Sequence, residues 1–187
     1  MIPSVDNCFQ LMSVYGMLDN IKGHSVTVAK VARIISRKLI ESGFAVSFEK
    51  VTAGALMHDI GKTASLKSGG DHSEIGRRIC LENNLDEIAE IVGEHVILKN
   101  YNGSDDFSEK LIVYYSDKRV NHDKIVNLDQ RLKYILGRYG RNDERICRAI
   151  TDNFAKCRKI EKRIFSRLPF GPEEVSLLAD AELLEDE

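Results

Sequence analysis

Residues 51–62 read V-T-A-G-A-L-M-H-D-I-G-K, and the fold and chemistry of the chain turn on them. A short apolar run delivers His58 and Asp59 side by side and stops at Gly61. A histidine and a carboxylate at the end of a buried segment make an odd choice for packing, because each must find a polar partner or give up its charge. They make a good choice for holding a metal ion. That use requires other ligand-type side chains gathered around the pair.

Working outward, Ser47 is placed to cap a helix that carries Val51, Ala55, Leu56 and Ile60 inward until Gly61 ends it. Upstream, Gly23 marks a break, and His24 opens an amphipathic helix with Val28, Val31, Ala32, Ile35 and Leu39 at three- and four-residue intervals. Lys30, Arg33, Arg37 and Lys38 fall on the opposite face. A first helix capped by Ser4 runs to about Asp19. Downstream, residues 63–71 read as a loop around Gly69-Gly70. His72 enters the next helix, and Asp86 opens another that extends to about Leu98, with Ile97 facing inward and His95 near its end. A polar loop over residues 100–106 precedes the apolar run Leu111 to Tyr115, which ends just ahead of Asp117. No partner strand stands elsewhere, so this run predicts a buried helix.

The last third divides by charge. Residues 141–167 hold nine basic and four acidic side chains, a net of +5, on a long amphipathic helix, while residues 173–187 hold seven acidic side chains and no Lys or Arg. The simplest expectation is a solvated basic face paired with the acidic tail. Without aromatic residues interleaved at stacking positions, this face argues against nucleic acid.

With 187 residues, 43% hydrophobic and 30% charged, the sequence predicts one all-α domain over residues 1–140 and a helical extension over 141–187 packed on it. The net charge of -2 offers no global attraction to nucleic acid or membrane. No apolar run approaches bilayer length and no secretory signal opens the chain, so a cytoplasmic location is expected. Cys8, Cys80, Cys147 and Cys157 form no C-x-x-C pair and read as reduced packing residues. A homo-oligomer stays open.

Of the five histidines, His24, His58, His72 and His95 are placed at helix starts or ends, where a ligand points into the space between helices. Asp59 and Asp117 join them, each following an apolar run. Imidazole mixed with carboxylate suits Fe, Mn, Zn or Co better than all-oxygen ions.

This ordered set resembles the HD superfamily of metal-dependent phosphohydrolases, and His58-Asp59-Ile60-Gly61-Lys62 matches its HDIG type letter for letter. The resemblance spans roughly His24 to Tyr139 and implies an HD-domain helical bundle with additional C-terminal helices. It implies that His24, His58, Asp59 and Asp117 surround one metal. His72 and His95 match the histidines that hold a second metal bridged by Asp59 in dinuclear members. The expected cofactor is one or two divalent transition ions, Fe or Mn first, with Zn, Co, Ni or Mg as further choices. Asp59 and Lys62 take the catalytic roles, Lys62 neutralising charge on the phosphoryl oxygens, with Lys118 and Arg119 as weaker phosphate contacts. The substrate implied is a phosphorylated small molecule, first of all a nucleotide. A mononuclear 5'-nucleotidase and a non-catalytic regulatory module are the competing readings.

Overall fold

The computed structural model describes residues 1–101, 103 and 107–184. Residues 102 and 104–106 of the expected polar loop, and the acidic residues 185–187, lie outside the described residues. Ten α-helices and one two-residue-per-strand hairpin make up the described fold, so the chain is all-α as the sequence predicts.

α1 (Val5–Val14) is capped by the Ser4 hydroxyl, which accepts from the Asn7 amide. It ends earlier than expected, because Gly16 at φ 60° turns the chain. α2 (Asp19–Glu41) begins at Asp19 and runs straight through Gly23. The expected break there is corrected: one interior glycine costs a helix only about 1 kcal/mol, and the stripe Val28, Val31, Ala32, Ile35 and Leu39 is wholly buried. α3 (Phe48–Met57) is capped by Ser47 and stops at His58, short of Gly61. The segment expected as a loop holds α4 (Lys62–Ser68), closed by Gly69 in the left-handed conformation at φ 76°. The glycine pair is therefore a helix stop rather than the centre of a loop.

α5 (His72–Glu82) is capped by Asp71, and α6 (Asp86–Glu94) ends at His95. Because α6 is shorter than expected, Ile97 is 60% exposed instead of facing inward. α7 (Glu109–Lys118) is the buried helix that the Leu111 to Tyr115 run predicts. β1 (Val120–Asn121) and β2 (Lys124–Ile125) then pair antiparallel around His122, whose φ of 56° makes the turn. α8 (Leu128–Tyr139) carries a capping box between Asn127 and Gln130. α9 (Glu144–Phe165) and α10 (Val175–Asp180) complete the chain, with a 3-10 turn at Pro172–Glu174 between them.

α2 lies against α3 and α7, α6 packs on α3, α5 and α7, and α4 rests on α5. α9 packs on α7 and α8, and its Phe154, Cys157, Ile160 and Ile164 join the same apolar core as the earlier helices. The four cysteines are free thiols, and burial pushes those of Cys80 and Cys157 up to about 12. The charge-divided end behaves differently from expectation. Glu182 turns back onto α2, where Arg33 Nε and Arg37 donate to it at 2.8 Å, and both guanidiniums sit over the Phe48 ring. Arg33 is thus buried rather than on a solvated face, and this acidic residue pairs with α2 rather than with the basic face of α9.

Candidate metal centre

Five helices and one turn bring the six ligand-type side chains together. His24 is the sixth residue of α2, not its first. His58 and His95 occupy the position just past α3 and α6, Asp117 lies in the last turn of α7, and His72 opens α5. Asp59 sits in the turn between α3 and α4. Its Oδ1 is 3.4 Å from His72 Nε2 and 3.5 Å from His95 Nε2, while its Oδ2 is 3.6 Å from His58 Nε2. Asp117 Oδ1 is 3.0 Å from His24 Nε2 and 3.8 Å from His58 Nε2. His24, His58 and Asp59 form one group able to hold an ion, and Asp59, His72 and His95 form another.

The close approach of α4 to α5 depends on Gly61. A Cβ there would lie 2.3 Å from the His72 carbonyl oxygen and 2.5 Å from the Gly76 amide nitrogen. Only hydrogen at this position lets His72 reach the pair at 58 and 59.

The imidazoles are aimed by the backbone. Nδ1 of His58 donates to the Ala55 carbonyl at 2.7 Å, Nδ1 of His95 to Val92 at 2.6 Å, and Nδ1 of His24 to His122 at 2.8 Å. These bonds place a proton on each Nδ1, so each ring turns its Nε2 inward. Burial holds His58 down to about 3 and His72 down to about 4, which keeps both rings neutral. Burial pushes Asp59 up, but His58, His95 and Lys62 more than offset it, so its carboxyl is held well below its usual range. Asp117 likewise is pushed up by burial and brought well below that range by Lys118, His24 and Arg131.

The bare Nε2 of the neutral His58 ring therefore faces carboxylate oxygens, acceptor against acceptor. His72 Nε2 and His95 Nε2 lie 3.2 Å apart, and His58 Nε2 and Asp59 Oδ1 are buried without a hydrogen-bond partner. Buried orphan acceptors are costly. A divalent ion resolves the arrangement, since imidazole nitrogens with second bonds to carbonyls and ionised carboxylates are the donors such ions take. The donor set fits.

The cations around the cluster differ in what they can still do. Lys62 Nζ donates to Asp59 Oδ2 at 3.0 Å and keeps a third of its side chain exposed. Lys118 is buried, donating to the His95 carbonyl and to Asp117 Oδ2. Arg119, expected as a weaker phosphate contact, donates to the carbonyls of Val126 and Pro172 and to Tyr115 Oη, bonds that tie the end of α7 to the segment after the hairpin and to the C-terminal segment. Sequence reasoning passed over Arg131 of α8. Its NH2 lies 3.7 Å from Asp117 Oδ1 and its NH1 donates to Asn121 Oδ1 at 2.8 Å. Nothing in its spacing signals this.

The six side chains thus define the class of a helical His/Asp metal centre. The model of the HD domain matches residues 21–122, more than half of the chain, and the chain belongs to that family, one typically of metal-dependent hydrolases. Among curated proteins it is 32% identical over 96 residues to the tRNA (cytidine(56)-2'-O)-methyltransferase of Thermoplasma volcanium, covering 51% of this chain and 26% of that protein. It is 31% identical over 144 residues to the protein of the same name in Picrophilus torridus, covering 69% of this chain and 40% of that protein. It is also 26% identical over 148 residues to uncharacterized protein MJ0778 of Methanocaldococcus jannaschii, covering 72% of this chain and 86% of that protein. The chain therefore spans well under half the length of both methyltransferases. No solved structure matches. Among the described residues, no helix is long and apolar enough to cross a membrane.

Proposed function

We propose that this chain is a metal-dependent phosphohydrolase acting on a phosphate ester or anhydride, first of all in a nucleotide. His24, His58, Asp59 and Asp117 serve one ion, and Asp59, His72 and His95 serve a second. The observation that carries the reading is Asp59: one buried carboxylate whose two oxygens face imidazoles of both groups. Bound ions in such a site supply Lewis acidity and a water nucleophile at neutral pH. The protein does the rest. The carbonyls of Ala55, Val92 and His122 fix the ring orientations, and Asp59 is kept ionised between them. Lys62, at the half-open rim, offers its ammonium to charge developing on the phosphoryl oxygens.

The test is elemental analysis of protein purified without added metal, followed by a panel of nucleotides, dinucleotides and phosphomonoesters with Mn or Fe supplied. About two ions per chain with turnover supports the reading. About one ion turns it to a mononuclear nucleotidase, and none that can be reloaded turns it to a regulatory module.

A second reading places the phosphate at an RNA end. It is favoured by the tRNA methyltransferase names of two similar proteins and by Arg145, Arg148, Lys159 and Lys162 of α9, exposed and without an ion pair among the described residues. A tRNA bearing a terminal phosphate, added to the same panel, decides between the two.

A further inference from the structure

Beyond the span matched by the family model, α8 lies beside the metal centre and brings Arg131 to it. We propose that Arg131 is a phosphate-contact residue, its guanidinium binding a non-bridging oxygen of the substrate's phosphoryl group. This rests on the phosphohydrolase reading and adds to it a residue that the ligand motif does not contain.

The guanidinium is held in place but not used up. Its side chain is only 11% exposed, and NH1 is anchored on Asn121 of the hairpin at 2.8 Å. The ring of Tyr134, one turn further along α8, lies 5.6 Å from the guanidinium carbon. NH2 stands 3.7 Å from Asp117 Oδ1, beyond hydrogen-bond distance, and neither NH2 nor Nε has a hydrogen bond among the described residues. A guanidinium is permanently charged and presents five N–H donors in a planar fork suited to two oxygens of a phosphate.

Neutralising Asp117 does not account for it. Lys118 Nζ already lies 3.1 Å from Asp117 Oδ2, and His24 faces Oδ1. A second fixed cation beside a metal-binding carboxylate repels an incoming ion, so for holding metal Arg131 is a liability. An anion delivered to the ions reverses that sign. Lys118 and Arg119 are buried and engaged with protein acceptors, whereas Lys62, though bonded to Asp59, keeps a third of its side chain exposed and Arg131 keeps N–H donors without a hydrogen-bond partner among the described residues. These last two stand next to different carboxylates of the cluster, Arg131 beside Asp117 and Lys62 beside Asp59. Two cations, each beside a different carboxylate of the centre, suit the several oxygens of one phosphoryl group.

The experiment compares wild type with Arg131→Gln and Arg131→Lys, each loaded with Mn. Metal content, thermal midpoint, calorimetric affinity for inorganic phosphate, and KM and kcat on whichever nucleotide the wild type turns over are read on all three. The expected result for Arg131→Gln is unchanged metal content and midpoint, with phosphate affinity weakened and KM raised by about tenfold or more, the loss of a charge-assisted hydrogen bond. Arg131→Lys retains part of the affinity, because a point charge remains without the fork. Metal loss in step with activity overturns the proposal, since Arg131 then only positions Asp117. Unchanged phosphate affinity with metal retained also overturns it. A wild type that binds metal yet neither binds phosphate nor hydrolyses any substrate overturns the phosphohydrolase reading itself, a result separable from the other two.

Discussion

Gly61→Ala is the sharpest perturbation of the centre, because it leaves all six ligand-type side chains in place. The new Cβ would stand 2.3 Å from the His72 carbonyl oxygen, 2.5 Å from the Gly76 amide nitrogen and 3.1 Å from Gly76 Cα, all backbone atoms. Relief to ordinary contact requires the start of α5 to retreat by about 1 Å, since none of these atoms is the tip of a flexible side chain. Metal–ligand distances tolerate about 0.2 Å. The retreat therefore removes His72 from a position now 3.4 Å from Asp59 Oδ1 and 3.2 Å from His95 Nε2. Overpacking of this kind costs about 1–3 kcal/mol, which for a chain of this size lowers Tm by about 2–12 °C. The expected outcome by elemental analysis is a loss of about one ion per chain, with helicity by circular dichroism preserved. Full metal content together with an unchanged Tm would refute the claim that Gly61 sets the distance between His72 and Asp59.

Asp59→Asn, which keeps the side-chain volume, should abolish both metal content and turnover; full turnover in that variant ends the scheme. His95→Ala should lower the metal content by about one ion while leaving the fold intact, and an unchanged content favours the mononuclear site. Glu182 is held below the ordinary 4.5 by its hydrogen bonds to Arg37 and Arg33 against the push of burial. A carboxyl lowered by folding contributes stability that is present above its unfolded value and lost as pH falls through the folded one. Hydrogen-exchange protection in α10, taken relative to the intrinsic exchange rate, should therefore fall below about pH 4.5, and Glu182→Gln should give the same fall at pH 7; equal protection in both proteins refutes the anchoring role.

Residue patterns made much of this legible, and the failures share a cause. The buried stripes of α2, α3 and α7 follow from three- and four-residue spacing, and Asp117 was placed by the apolar run that precedes it. Glycine was the ambiguous letter. Gly23 lies inside a helix and Gly69 ends one, because neighbouring packing decides whether its entropy cost matters. Arg119, just past the end of α7, turns to protein carbonyls instead of to the side of Asp117, and two-residue spacing does not put side chains on one face. Arg131 stayed hidden because its approach to Asp117 is set by the hairpin at Val120 to Ile125, which four residues of ladder barely announce. The pairing of Glu182 with Arg33 and Arg37 is a long-range contact of the same unreadable kind.

The helix ends at the cluster carry a further consequence. α3 and α6 stop at His58 and His95, and Asp117 lies in the last turn of α7, so three C-termini converge on one point. Each terminus concentrates about half a negative elementary charge. These three outnumber the opposite poles there, those of α5, entering at His72, and of the short α4, starting at Lys62 just after Asp59. The backbone thus sets up an attractive potential for cations that is independent of the titration of any side chain. The same six residues transplanted to the middle of helices in another bundle would bind metal more weakly at equal geometry, so affinity here belongs to the scaffold as much as to the ligands.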